Sequence, residues 1–303
     1  MSTGPVLVTG GAGFIGSHLV EELSDDRVVH VIDDLSRGRR EWLPGESILH
    51  EADIRDGDAL AKVVTDIRPE VVAHLAALHF IPAVDSAPQL ARELNVKGTA
   101  NLLDALSAAP PRLLLFASSA AVYPDTFGAI PESLGPDPID LYGQTKLEGE
   151  SLVRAFGRES GARCLVARIF NVVGKRETNS HVVPDLVSQL RAGASTIELG
   201  NLEARRDYTD VVDVASALAR LLASPATDHV TVNVGSGTAV SVRELVQRCE
   251  AILGRPIRVE VNPGRLRKRD RAELVADTRR LIAIIGPFQT RPLEQTLAEL
   301  LSA

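Results

Sequence analysis

Cysteine, tryptophan and methionine are scarce in this chain of 303 residues, which contains two, one and one of them respectively. Cys164 and Cys249 are too few for a disulfide framework, and their spacing does not fit a metal-binding motif. We therefore expect both to be buried small side chains in a reducing compartment, and we expect no metal ion.

The sequence shows neither a signal peptide nor an apolar run approaching the length of a membrane span. The chain also has no excess of positive charge: it contains 33 basic and 40 acidic residues, for a formal net charge of -7. This balance gives no global attraction to nucleic acid or to an anionic membrane. We expect a cytoplasmic protein that has neither partner and recognises phosphate only locally.

Hydrophobic residues make up 45% of the chain, enough for a substantial core. Short apolar runs alternate with longer amphipathic segments through the first half. Such runs between helical patterns are typical of parallel strands covered on both faces. The pattern predicts an α/β fold built on a doubly wound parallel sheet. The predicted strands begin at Val6, Val28, Val71, Leu113 and Cys164.

The regular alternation stops near residue 172, where Pro184, Gly193 and Gly200 break the chain into shorter pieces. We expect a dinucleotide-binding domain followed by a smaller C-terminal substrate-binding domain. A helical pattern and a strand pattern between residues 211 and 234 indicate a return to the first domain. The expected boundaries are 1–171 and about 208–234 for the first domain, and 172–207 and 235–303 for the second.

Three glycines, at positions 10, 13 and 16, lie between the first apolar run and a helical pattern starting near Ser17. Glycine there lets the backbone turn tightly and approach a pyrophosphate. The N-terminus of the helix adds unpaired amides and a favourable dipole. The segment predicts a dinucleotide site.

Asp33 follows Gly16 by 17 residues, near the usual position of the acid that binds the adenosine ribose. A carboxylate there would repel a 2′-phosphate, so the sequence favours NAD over NADP. Arg37, Arg39 and Arg40 follow closely and leave NADP open as the alternative.

Tyr142 and Lys146 are four residues apart and would share one face of a helix. An ammonium group beside a tyrosine, with a positively charged nicotinamide ring nearby, favours the phenolate. Together they could move the tyrosine pKa from about 10 toward 7, roughly 4 kcal/mol of differential stabilisation. The pair predicts a base that removes an alcohol proton.

The run Thr9-Gly-Gly-Ala-Gly-Phe-Ile-Gly together with Tyr142-x-x-x-Lys146 resembles the extended short-chain dehydrogenase/reductase family. Its members are mostly nucleotide-sugar epimerases, dehydratases and reductases, and the resemblance covers nearly the whole chain. It implies a Rossmann fold with bound NAD, and it matches Asn95 to a structural asparagine. The implied cofactor residues are Gly10, Gly13, Phe14, Ile15, Gly16, Asp33, Asp53, Ile54, Leu75, Ala76, Ala77, Tyr142 and Lys146.

The same resemblance implies the catalytic and substrate-binding residues. Ser118-Ser-Ala-Ala-Val-Tyr looks like the segment that supplies the catalytic hydroxyl four residues before a tyrosine, which selects Ser119 beside Tyr142 and Lys146. Arginine suits a diphosphate through paired guanidinium bonds. Arg269 replaces the family's usual glycine and is an alternative to Arg267. The implied substrate-binding residues are Ser119, Asn171, Arg206 and Arg267.

Dehydratases of this family carry carboxyl side chains in the two positions after the catalytic hydroxyl, where this chain has Ala120 and Ala121. Alanine cannot act as an acid or base, which argues against 4,6-dehydration. We favour a C4 epimerase that oxidises a nucleotide hexose to a 4-keto intermediate and reduces it again from the opposite face. The alternative is an NAD(P)H-dependent 4-ketoreductase. A non-catalytic dinucleotide sensor is disfavoured because the catalytic residues are retained.

The sequence leaves the nucleotide base and the sugar open. Arg176, His181 and Arg191 could favour the carboxylate of a uronic acid, or could meet phosphates or water. Two-helix homodimers are common in the family, and residues 88–108 and 142–159 are the candidate interface. We expect a nucleotide-sugar substrate and a homodimer.

Overall fold

A computed structural model describes residues 4–25, 27–225, 230–266 and 270–302. Its largest sheet has seven strands, all parallel. In order across the sheet they are β11 (Val230–Val234), β7 (Arg163–Ile169), β5 (Leu113–Ser119), β4 (Val71–His74), β1 (Val6–Thr9), β2 (Val29–Asp33) and β3 (Ile48–Glu51). The chain runs outward from β1 first in one direction and then in the other, which confirms the predicted doubly wound sheet.

All five predicted apolar runs form strands of this sheet, and the later Val230 segment is its edge strand β11. Strand β3 was not predicted. It lies at the opposite edge, and both of its end residues are exposed, so it lacks the continuous apolar run of a buried strand.

Helices cover both faces of the sheet. Side chains alternate along β1, so Val6 and Val8 join one core while Leu7 joins the other. The first core includes α1 (Phe14–Ser24), α8 (Val211–Ala223) and α10 (Arg279–Ile285). The second includes α2 (Gly57–Ile67), α5 (Gly98–Ser107) and α6 (Leu141–Ser160).

A long helical segment leads into α5. It begins with α3 (Ile81–Ser86) and α4 (Pro88–Arg92), and a π-helical turn at Glu93–Lys97 joins α4 to α5. Such wide turns frequently accompany functional sites. This one carries Asn95 toward α6.

Two smaller sheets lie beyond the carboxyl ends of the large sheet's central strands. One contains β12 (Ala239–Ser241), β10 (Arg205–Asp210), β14 (Glu273–Ala276) and β6 (Ala129–Ile130) in that order, with β8 (Asn171–Val173) also paired to β10. The other pairs β9 (Thr196–Leu199) with β13 (Arg258–Val261). A separate core includes α7 (Val182–Arg191), α9 (Val242–Leu253) and α11 (Leu293–Ser302).

These placements agree with a smaller C-terminal unit and with a return to the large sheet at β11, while the predicted domain boundaries stay a prediction. Both cysteines are buried and free, as predicted. Among the described residues, no helix combines the length and apolar composition that crossing a membrane requires.

Candidate active site

A cavity of about 1390 Å³ opens at the carboxyl ends of the central strands, between the large sheet and the smaller ones. Every predicted cofactor residue lines it except Asp53. Ser119, Asn171 and Arg206 line it as well. Arg267 and its alternative Arg269 lie outside the described residues.

The glycine loop joins β1 to α1 at one end of this cavity. Gly13 caps α1, and its carbonyl accepts the N–H of Ser17 at 2.9 Å. A Cβ on Gly16 would lie 2.0 Å from the carbonyl oxygen of Gly10, so no larger residue fits there. The loop therefore holds the N-terminal turn of α1 close to β1, with its amides available to a phosphate.

Asp33, at the end of β2, is bonded to the loop. Its Oδ2 accepts the N–H of Ala12 at 3.0 Å, and its Oδ1 accepts the N–H of Leu35 at 2.9 Å. Burial raises the pKa of this carboxyl, and the two backbone bonds oppose that shift. A carboxylate accepts about four hydrogen bonds, so capacity remains for ribose hydroxyls.

Asp53 is placed differently from its predicted partner Ile54, which lines the cavity. The Asp53 carboxylate accepts from Arg55 Nε at 2.9 Å, and this bond holds the pKa of Asp53 below its usual value. Its contact with the cofactor stays a prediction.

The three arginines after Asp33 are not equivalent. Arg40 donates to Glu51 at 3.1 Å, and the guanidinium of Arg39 lies 5.5 Å above the ring of Trp42. Of the three, Arg37 is the one that lines the cavity. The side chains that could serve a 2′-phosphate are thus partly engaged elsewhere.

Buried hydrogen bonds fix the segment after β4, which contains Leu75, Ala76 and Ala77. Thr9 Oγ1 lies 2.6 Å from His74 Nδ1, and His74 Nε2 lies 2.9 Å from Thr99 Oγ1. Burial lowers the pKa of His74 to about 3, so its ring is neutral. His74 therefore supports the cavity wall.

Tyr142 lies in the first turn of α6, next to Ser119 at the end of β5. Asp140 caps the helix, because its Oδ1 accepts the N–H of Gly143 at 2.8 Å. A Cβ on Gly143 would lie 2.3 Å from the carbonyl oxygen of Ala121, so α6 packs directly on the turn after Ser119. This close packing brings the side chains of Tyr142 and Ser119 together at the wall of the cavity.

Lys146 follows one turn later and is 4% exposed. Its Nζ donates to the carbonyl of Ala117 at 2.8 Å and lies 6.0 Å from the centre of the Tyr142 ring. The three residues predicted as catalytic therefore meet at one point of the cavity.

In the chain alone, the electrostatics of this trio favour the phenol of Tyr142 over the phenolate. Burial raises the pKa of Tyr142 to about 12, although the bond to Ser119 opposes the shift. Burial also lowers the pKa of Lys146 to about 7, against the charge of Glu150. Desolvation penalises both charged forms, so the chain's own residues do not supply enough positive charge for a phenolate.

Asn95 connects the wall of the cavity to α6. Its amide oxygen accepts the N–H of Leu78 at 2.7 Å, and its Nδ2 donates to the Leu78 carbonyl and to Thr145 Oγ1, both at 3.0 Å. Thr145 donates in turn to the carbonyl of Tyr142 at 2.8 Å. Asn95 thus helps to position the helix turn that carries Tyr142.

Arg206 is buried on β10 at the far end of the cavity. Its Nη2 donates to Asp270 Oδ1 at 2.5 Å. Of the basic residues considered for a sugar carboxylate, His181 lines the cavity, whereas Arg176 donates to Ser17 and Glu21. The described cavity lining does not include Arg191.

Sequence reasoning did not select Arg271, which lies two residues after Arg269. Its Nη2 donates to the carbonyls of Ala121 and Tyr123 at 3.0 and 2.9 Å, and its Nη1 lies 3.6 Å from Asp140. Arg271 therefore ties the C-terminal segment to both sides of the Ser119–Tyr142 pair. No local pattern separates it from its charged neighbours, so only the structure could find it.

Comparisons with known proteins identify the family of this chain. A profile of the NAD dependent epimerase/dehydratase family matches residues 6–235. A UDP-glucose 4-epimerase of Corynebacterium glutamicum is 33% identical over 300 residues, covering 93% of this chain and 89% of that protein. A GDP-6-deoxy-D-mannose reductase of Pseudomonas aeruginosa is 31% identical, covering 98% and 96%.

The structure of a UDP-glucose 4-epimerase from Thermus thermophilus in complex with NAD superposes with a TM-score of 0.88. It is 30% identical to this chain, and the match covers 98% of each chain. The family profile spans well over half of the sequence. The protein belongs to the NAD-dependent epimerase/dehydratase family, and it is an enzyme of the nucleotide-sugar epimerase/dehydratase kind.

Proposed function

We propose that the protein is an NAD-dependent epimerase that inverts C4 of a nucleotide-activated hexose or hexuronic acid, with a UDP-sugar as substrate. The observation that carries this proposal is the convergence of Ser119, Tyr142 and Lys146 on the cavity that the glycine loop also lines. A hydroxyl pair at this point can bind an alcohol oxygen and exchange its proton.

The glycine loop and Asp33 fit NAD, since Gly16 leaves no space for a side chain and Asp33 retains acceptor capacity. When bound, NAD+ supplies the hydride acceptor for C4 and returns the hydride in the second half-reaction. Tyr142 takes the C4 hydroxyl proton as the ketone forms and gives it back as the ketone is reduced. Ser119 binds the same oxygen in both directions.

Inversion requires the 4-keto sugar to rotate and present its opposite face without leaving the active site. Arg206 and Asn171, which line the same cavity, would hold the nucleotide diphosphate while the hexose stays free to rotate. Arg267 remains a proposed second arginine for this role. Ala120 and Ala121 both lie in the cavity wall and offer no acid or base for dehydration.

A 4-ketoreductase of a nucleotide 4-keto-6-deoxyhexose is the second candidate. The Pseudomonas aeruginosa relative, a GDP-6-deoxy-D-mannose reductase matched over nearly its full length, favours it. The two reactions share Ser119, Tyr142 and Lys146 and differ in cofactor use. An epimerase recycles NAD+, whereas a reductase consumes NAD(P)H.

The test is to incubate the protein without added cofactor with UDP-, GDP- and dTDP-hexoses and hexuronic acids, and to separate the C4 epimers by chromatography. Interconversion supported by co-purified NAD+ is the expected result. Tyr142→Phe should abolish it while NAD+ binding is retained. Tyr123→Phe is the matched control, because that hydroxyl donates to Asn233 away from Ser119.

Consumption of NADPH with a 4-keto-6-deoxy sugar, without epimerisation, would replace the proposal by the reductase. Wild-type turnover by Tyr142→Phe would remove the mechanism. We also propose a homodimer through the segments 88–108 and 142–159, which light scattering coupled to size-exclusion chromatography would measure directly.

A further inference from the structure

Two histidines and a glutamate converge on the cavity wall from separate segments. His79 follows β4, while Glu177 and His181 precede and cap α7. One ligand atom from each of the three lies within 4.8 Å of those of the other two. All three side chains are partly buried and line the cavity. No other such group of His, Cys, Asp or Glu occurs within the described ranges.

The neighbours of these residues orient them as ligands. The Nε2 of the His79 ring faces Asn179 Nδ2 at 3.1 Å. Glu177 Oε1 accepts from both the backbone N–H and Nδ2 of Asn179, at 2.8 and 3.1 Å. A carboxylate fixed by amide donors is a support that metal ligands commonly have.

The rings of His79 and His181 lie nearly parallel, 26° apart with centroids at 6.0 Å, and Phe80 packs edge-on against His181 at 5.1 Å. The amide of Asn179, which is 6% exposed, bridges His79 and Glu177 at present. A cation between them would satisfy both acceptors in its place.

We propose that His79, Glu177 and His181 bind a divalent transition-metal ion of the Zn²⁺ or Co²⁺ class. Two imidazoles and one carboxylate are a ligand set that such ions prefer. In a tetrahedral site, ligand atoms lie about 3.4 Å apart, so binding requires side-chain rotations that draw the three together by about 1 Å. The remaining coordination position faces the cavity and would take a water molecule or a substrate oxygen.

The experiment uses full-length protein purified without a histidine tag and stripped with chelator. Co²⁺ is titrated while its visible absorption is recorded, and Zn²⁺ is titrated by calorimetry, both without NAD or sugar. We expect one ion per chain. His79→Ala and His181→Ala should each weaken binding more than about 100-fold. Asn179→Ala should not weaken it, because the Asn179 side-chain amide occupies the two acceptors that the ion would take.

The matched control is the second stacked histidine pair, His30 and His50, whose ring centroids are 5.3 Å apart and which does not line the cavity. His30→Ala with His50→Ala should leave the titration unchanged. Anomalous scattering from a Co²⁺-soaked crystal of the wild-type protein would locate the ion even if a variant folded poorly.

Absence of stoichiometric binding by the wild type would overturn the proposal. So would binding that survives His79→Ala, binding lost in the His30/His50 control, or cobalt density elsewhere. Because no sugar is present, these outcomes are independent of whether the enzyme epimerises.

Discussion

Both carboxylate oxygens of Glu150 accept hydrogen bonds from the guanidinium of Arg168, each at 2.8 Å. Glu150 lies one turn after Lys146 on α6 and is fully buried, and Ser118 Oγ donates to it at 2.7 Å. The ion pair is therefore hydrogen-bonded to Ser118, which immediately precedes Ser119 in the chain.

Glu150→Gln should destabilise the protein, because it leaves Arg168 as a buried charge without its counter-ion. We expect the free energy of unfolding in urea to fall by about 3–5 kcal/mol. Glu148→Gln, on the same helix, removes a partly exposed pair with Arg92 and should cost less than about 0.5 kcal/mol. Equal losses in the two variants would show that the buried pair contributes nothing special.

Tyr142 should remain a phenol far above neutral pH in the protein without cofactor, because burial raises its pKa to about 12. The ultraviolet absorbance of phenolate, taken as the difference between wild type and Tyr142→Phe, should stay absent below about pH 10. Saturation with NAD+ should move the transition to lower pH, since a nearby positive charge favours the phenolate. An unchanged transition would mean that the nicotinamide does not activate Tyr142.

Lys146 should make stability depend on pH above neutrality. Its pKa is about 7 in the folded chain against an ordinary value of 10.5, so between these values the unfolded state binds more protons. The free energy of unfolding should therefore rise with pH from about 7 to 10.5 through this group, and its contribution is unfavourable below 7. Lys146→Met should flatten that rise in urea titrations; the same slope in both proteins would argue against a depressed pKa.

Asp33→Asn should weaken NAD+ binding, because a neutral amide replaces the carboxylate that accepts from the glycine loop and that we propose as the acceptor for the ribose. Losing a hydrogen bond to a charged group costs about 1.5–3 kcal/mol, or roughly 10- to 150-fold in Kd, which fluorescence titration can measure. Asp34→Asn is the matched control, since its carboxylate is exposed and accepts only from Ser36 among the described contacts. A larger effect at Asp34 would reverse the assignment.

Local features were the predictable part of this protein. The glycine loop and the Tyr142–Lys146 spacing are set by turn geometry and helix periodicity, and both lie where the sequence places them. The pKa of Tyr142 was not predictable, because desolvation depends on everything packed around the ring. The group of His79, Glu177 and His181 was missed for a related reason, since its members come from segments that only the fold brings together.

The pairing of β6 with β14 has a consequence for the order in which the protein can assemble. Strand β6 lies between Ser119 and Tyr142 in the chain, whereas its partner β14 lies near the C-terminus. Ala129 of β6 pairs with Val275 of β14. On the ribosome, the large sheet can begin to form while this partner is still unsynthesised. The segment between Ser119 and Tyr142 can therefore pair with β14 only when nearly the whole chain has been synthesised. A chain truncated before β14 would contain the glycine loop but could not complete the active site.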